Sequence, residues 1–222
     1  MWQSELRFYN ATAVPQTIEV SRTFPAEGTE CTGIAPFAIE PGALAQIRSI
    51  GCGEGSAAAF EMLVADGVEV SSVITNIDQT AQTSCCLTGY SQNIPIVDAD
   101  RAYELRHSMA NLQVPVVGRT NLGRHNLVIV NPSGSPLIVT LLYYEAHGLD
   151  GTVLFQPQEI AVPARAYTQV GDVLPQLHGS VTEPIITGYW RIDAAGDRPF
   201  FILDSYVDNA TNDATTIEAG DR

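Results

Sequence analysis

The sequence predicts an all-β protein: two tandem antiparallel β-sandwich domains related by internal duplication. Three observations predict it. Short runs rich in β-branched and aromatic residues recur between clusters of Gly, Pro, Asn and Asp. No segment keeps a 3.6-residue apolar period over three turns, so long helices are not expected. The stretch Arg119–Glu145, RTNLGRHNLVIVNPSGSPLIVTLLYYE, has a weaker copy 121 residues earlier at Glu5–Val20, in which Leu6 matches Leu127, Asn10 matches Asn131 and Pro15 matches Pro136.

In the first repeat, strands are expected near 4–10, 14–23, 34–39, 43–49, 57–65 and 68–76, with Pro41-Gly42 and Asp66-Gly67 as turns. In the second, they are expected near 112–117, 124–130, 136–145, 152–162, 165–170, 185–194 and 199–208, with Asn131-Pro132-Ser133-Gly134 as the first turn. The later parts of the repeats align as well. Ser71–Asn76 is set against Asp204–Asn209, and Glu40-Pro41-Gly42 against Val162-Pro163-Ala164. Val170–Leu177 is expected to hold one short helical turn. The domains are drawn as 1–98, with a connector at 78–111, and 112–222.

One consequence concerns strand edges. The second repeat opens with Leu112-Gln113-Val114-Pro115-Val116-Val117, which has no counterpart ahead of Leu6. An unpaired edge is therefore expected beside residues 4–10, and such edges are normally covered. Ile94-Pro95-Ile96-Val97 could fill it in cis, or a strand of another chain in trans, in which case head-to-tail contacts would build a filament.

Composition excludes several functions. The net charge is −14 and the pI about 4.4, so nucleic acid and anionic membrane surfaces would be repelled. All 11 basic residues are Arg, which rules out a P-loop lysine, a Schiff-base lysine and a Ser–Lys pair. No apolar run approaches the roughly 18 residues of a helical span. There is no G-x-S-x-G and no H-E-x-x-H, and no catalytic residue is assigned.

The candidate sites are structural or weakly ligating. Cys31, Cys52, Cys85 and Cys86 are four in number, which suggests disulfides and an oxidising compartment. A bond between the adjacent Cys85 and Cys86 would be strained, so Cys31 and Cys52 are expected to pair with them, in either order. His147 and His178, with Asp208 or Asp213, make a candidate transition-metal set for Zn²⁺. Asp204, Asp208 and Asp213 are candidate Ca²⁺ ligands without EF-hand spacing. Tyr143-Tyr144, Tyr167, Tyr189-Trp190 and Tyr206 are candidates for stacking a sugar. Asn10-Ala11-Thr12 and Asn209-Ala210-Thr211 match the N-glycosylation pattern.

RTNLGRHNLVIVNPSGSPLIVTL, followed by a Pro-containing turn and SYVDNATNDATTI, resembles a repeat of large secreted bacterial proteins, where tandem units follow protease or other hydrolase domains. The resemblance covers all of the second repeat and, more weakly, the first. It implies an immunoglobulin-like sandwich and an extracellular accessory module, and it transfers no catalytic residue. The first repeat departs from it with Ala11-Thr12-Ala13 in place of Pro-Ser-Gly and by carrying all four cysteines. The expected function is a non-catalytic extracellular structural or adhesive module, a subunit of a cell-surface or filamentous assembly. Its partner would be a protein or a second copy at an exposed strand edge of the first repeat. The alternative is a carbohydrate-binding accessory module of a secreted hydrolase.

Overall fold

A computed structural model describes residues 2–25, 33–48, 58–77, 89–94, 96, 123–145, 152–153, 158–171, 188–194, 200–208 and 214–218. Chain contacts divide it into two compact units, Met1–Val97 and Asp98–Arg222. The described secondary structure is all-β and every described strand pairing is antiparallel.

The first unit contains β1 (Trp2–Asn10), β2 (Gln16–Pro25), β3 (Phe37–Ile39), β4 (Leu44–Arg48), β5 (Ala58–Leu63), β6 (Val68–Ile77) and β7 (Gly89–Ile94). They form a four-stranded sheet, β4-β1-β6-β7, and a three-stranded sheet, β3-β2-β5. Alternation along β1 decides its two faces. Leu6, Phe8 and Asn10 are buried, while Arg7 and Tyr9 are exposed. Leu6 and Phe8 share one core with Ile18 of β2 and Ile39 of β3, flanked by Ile47, Met62, Val68 and Val70. Phe37 meets Phe8 edge to face, with centroids 5.4 Å apart. Residues of both sheets thus fill one interior, an arrangement consistent with a β-sandwich. Burying each large apolar side chain contributes about 1.5–3 kcal/mol.

The second unit contains β8 (Gly123–Asn131), β9 (Leu137–Glu145), β10 (Thr152–Val153), β11 (Gln158–Val162), β12 (Ala166–Val170), β13 (Gly188–Ala194), β14 (Phe201–Asp208) and β15 (Ala214–Glu218). One sheet runs β12-β8-β14-β15; in the other, β9 pairs with β10 and β11 and also with β13. Leu127, Ile129, Leu137, Val139, Leu141 and Val162 are almost completely buried. The order β12-β8-β14-β15 matches β4-β1-β6-β7 strand for strand, and β11-β9-β13 matches β3-β2-β5.

Three sequence expectations change. β1 is paired on both sides, with β4 along Glu5–Tyr9 and with β6 along Trp2–Asn10, so the open edge beside residues 4–10 does not exist. The strand near the connector is Gly89–Ile94 and pairs with β6, not β1. The later repeat alignment shifts by one residue: Leu6 lies opposite Ser72 and Leu127 opposite Asp204, so Ser72, not Ser71, corresponds to Asp204. With a two-residue side-chain period, a one-residue slip exchanges the faces. The expected strand at 112–117 and most of the expected helical turn at Val170–Leu177 lie outside the described residues.

Candidate functional site

The most developed polar constellation in each unit is a buried asparagine at the end of its first strand. Asn10 closes β1 and Asn131 closes β8, and both are completely buried. An amide placed there must satisfy two N–H donors and a carbonyl, because an unmet buried polar group costs about 1–3 kcal/mol.

In the first unit, Asn10 Nδ2 donates to the carbonyls of Val14 at 2.9 Å and Ile39 at 2.9 Å. Its Oδ1 accepts from the Thr12 backbone N–H at 2.9 Å and from Thr12 Oγ1 at 2.7 Å. In the second, the two Nδ2 hydrogens of Asn131 are shared among three carbonyls, Ser135 O at 2.9 Å, Val162 O at 3.2 Å and Pro163 O at 3.0 Å. Its Oδ1 accepts from Ser133 N at 3.0 Å and Ser133 Oγ at 2.7 Å. The Thr12 and Ser133 hydroxyl oxygens also lie 2.8 Å from Val14 O and 2.9 Å from Ser135 O, so each single hydroxyl hydrogen is shared between that carbonyl and the asparagine Oδ1. Each asparagine therefore ties the β-turn after its strand to the strand that ends 29 or 31 residues later.

The other face of β4-β1-β6 carries charge. Glu5 accepts from Arg7 and, at 2.9 Å, from Arg48 Nε, across the register pair Glu5–Arg48. The Arg7 hydrogen bond is the main reason the Glu5 carboxyl sits below the usual carboxylate range; partial desolvation opposes it, and Arg48 adds to it. In the next two rows, Arg7 lies opposite Gln46, and Tyr9, 40% exposed, lies opposite Leu44, 58% exposed. In the second unit the corresponding row is Val130 opposite Tyr167, both buried.

Cys31, Cys52, Cys85, Cys86, His147, His178 and Asp213 lie outside the described residues. Asp208 is the last residue of β14, opposite Gly123. Asp204 is fully buried, opposite Leu127. Four residues of strand separate Asp204 from Asp208 by about 13 Å, too far for both to hold one ion. Among the described residues, no three His, Cys, Asp or Glu side chains converge on a metal position. Of the aromatic candidates, Tyr167 is buried and Tyr206 is half-buried. The register sets Tyr189 opposite Tyr144 and Trp190 opposite Tyr143, two cross-strand aromatic pairs that sequence adjacency does not disclose.

Sequence reasoning noted Asn10 and Asn131 as equivalent turn positions without assigning them burial. The available signal was the shared Asn-x-Ser/Thr spacing at the end of an alternating apolar strand. Compared with known proteins, the chain matches no family model, no curated protein and no solved structure.

Proposed function

We propose that the chain is a duplicated pair of immunoglobulin-like β-sandwich units that serves as an extracellular structural or adhesive module, without catalysis of its own. The observation that supports the duplication most is the repeated asparagine turn, set in the same strand order in both units. Two independent inventions of a buried amide tied to the same four kinds of partner are less economical than one unit copied. The extracellular assignment rests on the four cysteines and on the resemblance of the second repeat to secreted modules.

The partner is a protein or a second copy, added at a strand edge of the first unit. β4 is the favoured edge: among the described residues it pairs only with β1, and Leu44 and Tyr9 are exposed beside it. Light scattering and surface-binding assays test this, using the whole chain and Leu44→Asp. The expected result is association that Leu44→Asp abolishes. A chain that stays monomeric at all concentrations and binds no protein surface defeats the reading.

The cross-strand pairs Tyr144–Tyr189 and Tyr143–Trp190 favour a second reading, a carbohydrate-binding module, since aromatic rings stack on sugar faces. A glycan array decides it, with Tyr144→Ala and Tyr189→Ala as controls for any signal.

A further inference from the structure

Asn10-Ala11-Thr12 satisfies the acceptor pattern for N-linked glycans, and nothing in its spacing argues against modification. The fold does. We infer that this triplet is a fold-forming turn, and that a glycan on Asn10 and the native first unit exclude one another.

N-glycosylation breaks one Nδ2–H bond of the acceptor and forms a bond from Nδ2 to the first sugar carbon. The proton leaves to solvent, and a lipid diphosphate departs from the sugar with the electron pair. The nitrogen must therefore reach solvent and give up a hydrogen. Asn10 has no exposure, and its Nδ2 donates to both Val14 O and Ile39 O. A sugar at that nitrogen displaces at least one of these bonds, and its volume must pass between the end of β1 and the end of β3. Thr12, the hydroxyl residue of the pattern, is already engaged: its N–H and Oγ1 both donate to Asn10 Oδ1.

The second unit supplies an internal control. Its equivalent triplet is Asn131-Pro132-Ser133, which the acceptor pattern forbids because proline occupies the middle position. It nonetheless makes the same hydrogen bonds to the asparagine carbonyl and from the asparagine amide. Asparagine followed two residues later by a hydroxyl is thus what the turn itself requires, and the acceptor pattern in the first unit is a by-product of that requirement.

The test is semisynthesis of the full chain by ligation at Cys31, with Asn10 either unmodified or carrying one N-acetylglucosamine. A third chain has Ala11, which is exposed, replaced by an asparagine carrying the same sugar. Thermal unfolding and amide exchange are read for residues 5–20. The expected result is native protection in the unmodified and Ala11→Asn chains, and its loss in the chain modified at Asn10. Native protection with the sugar on Asn10 overturns the inference. Equal loss with the sugar at position 11 also overturns it, because bulk anywhere in the turn would then suffice.

Discussion

Gly42 and Arg165 hold the same position in their two units, the second residue of the turn leading into β4 and β12, and both are left-handed, with φ of 69° and 52°. The sequence alignment pairs Gly42 with Ala164; the strand registers pair it with Arg165 instead. A left-handed conformation costs a side-chain-bearing residue about 1–2 kcal/mol, whereas glycine adopts it freely. The second unit carries that strain and the first does not.

Arg165→Gly is expected to raise the stability of the second unit, by about 0.5 kcal/mol once the greater freedom of glycine in the unfolded chain is subtracted. The converse change, Gly42→Ala, should cost about 1 kcal/mol. A Cβ at Gly42 meets no atom within 4 Å, so that loss would report backbone strain alone. Denaturant melts of the single variants check both signs.

Asn131→Asp keeps the acceptor oxygen and removes the donors. Val162 O, Pro163 O and Ser135 O then face a second oxygen in place of an N–H. A loss of about 3 kcal/mol at neutral pH is expected. Asn10→Asp should act similarly on the first unit. Calorimetry resolves the two, and a variant melting with the parent chain would contradict the buried network.

A Cβ added at Gly67 would lie 2.7 Å from Thr12 Cγ2, and Gly67 has a φ of 84°. The Thr12 side chain cannot swing aside without surrendering its hydroxyl bond to Asn10. Gly67→Ala should therefore destabilise by about 2 kcal/mol, combining clash and strain. Thr12→Ser, which copies the hydroxyl of Ser133 without the methyl, should recover part of the loss. A double-mutant cycle measures the coupling, and strict additivity would exclude the clash.

Glu5 gives a pH test. Its folded-state carboxyl is held below the usual range by Arg7 first and Arg48 also. The contribution is complete above the unfolded-state titration and fades as pH falls through the lower folded value. Glu5→Gln should thus lower the melting temperature slightly at pH 7, and the gap should close in acid. Added salt should narrow it too, because Arg7 and Arg48 are exposed.

Strand existence was legible because β1, β2, β8 and β9 alternate cleanly or carry dense β-branched runs bounded by turn residues. β7, Gly-Tyr-Ser-Gln-Asn-Ile, and β15, Ala-Thr-Thr-Ile-Glu, were not: both are edge strands of mixed polarity whose pairing is set by β6 and β14. The turn equivalence failed by one residue because Pro41 and Pro163 look alike in sequence, while the left-handed residue is fixed by register and is an arginine in one unit. Asp204 is a candidate Ca²⁺ ligand by residue type alone, and register puts it opposite Leu127 in the interior. Of the candidate site, the asparagine positions were visible; the burial that gives them meaning depends on strands some 30 residues away.

That distance has a kinetic consequence. Asn10 joins a contact four residues off, to Val14, with one 29 residues off, to Ile39. The first can form as soon as the short turn between β1 and β2 closes, whereas the second must wait for a longer loop to be brought in. One amide would then act early as a local organiser and late as a latch. Thr12→Ala, which removes only local bonds, should slow folding, and changes confined to the Ile39 end should chiefly hasten unfolding.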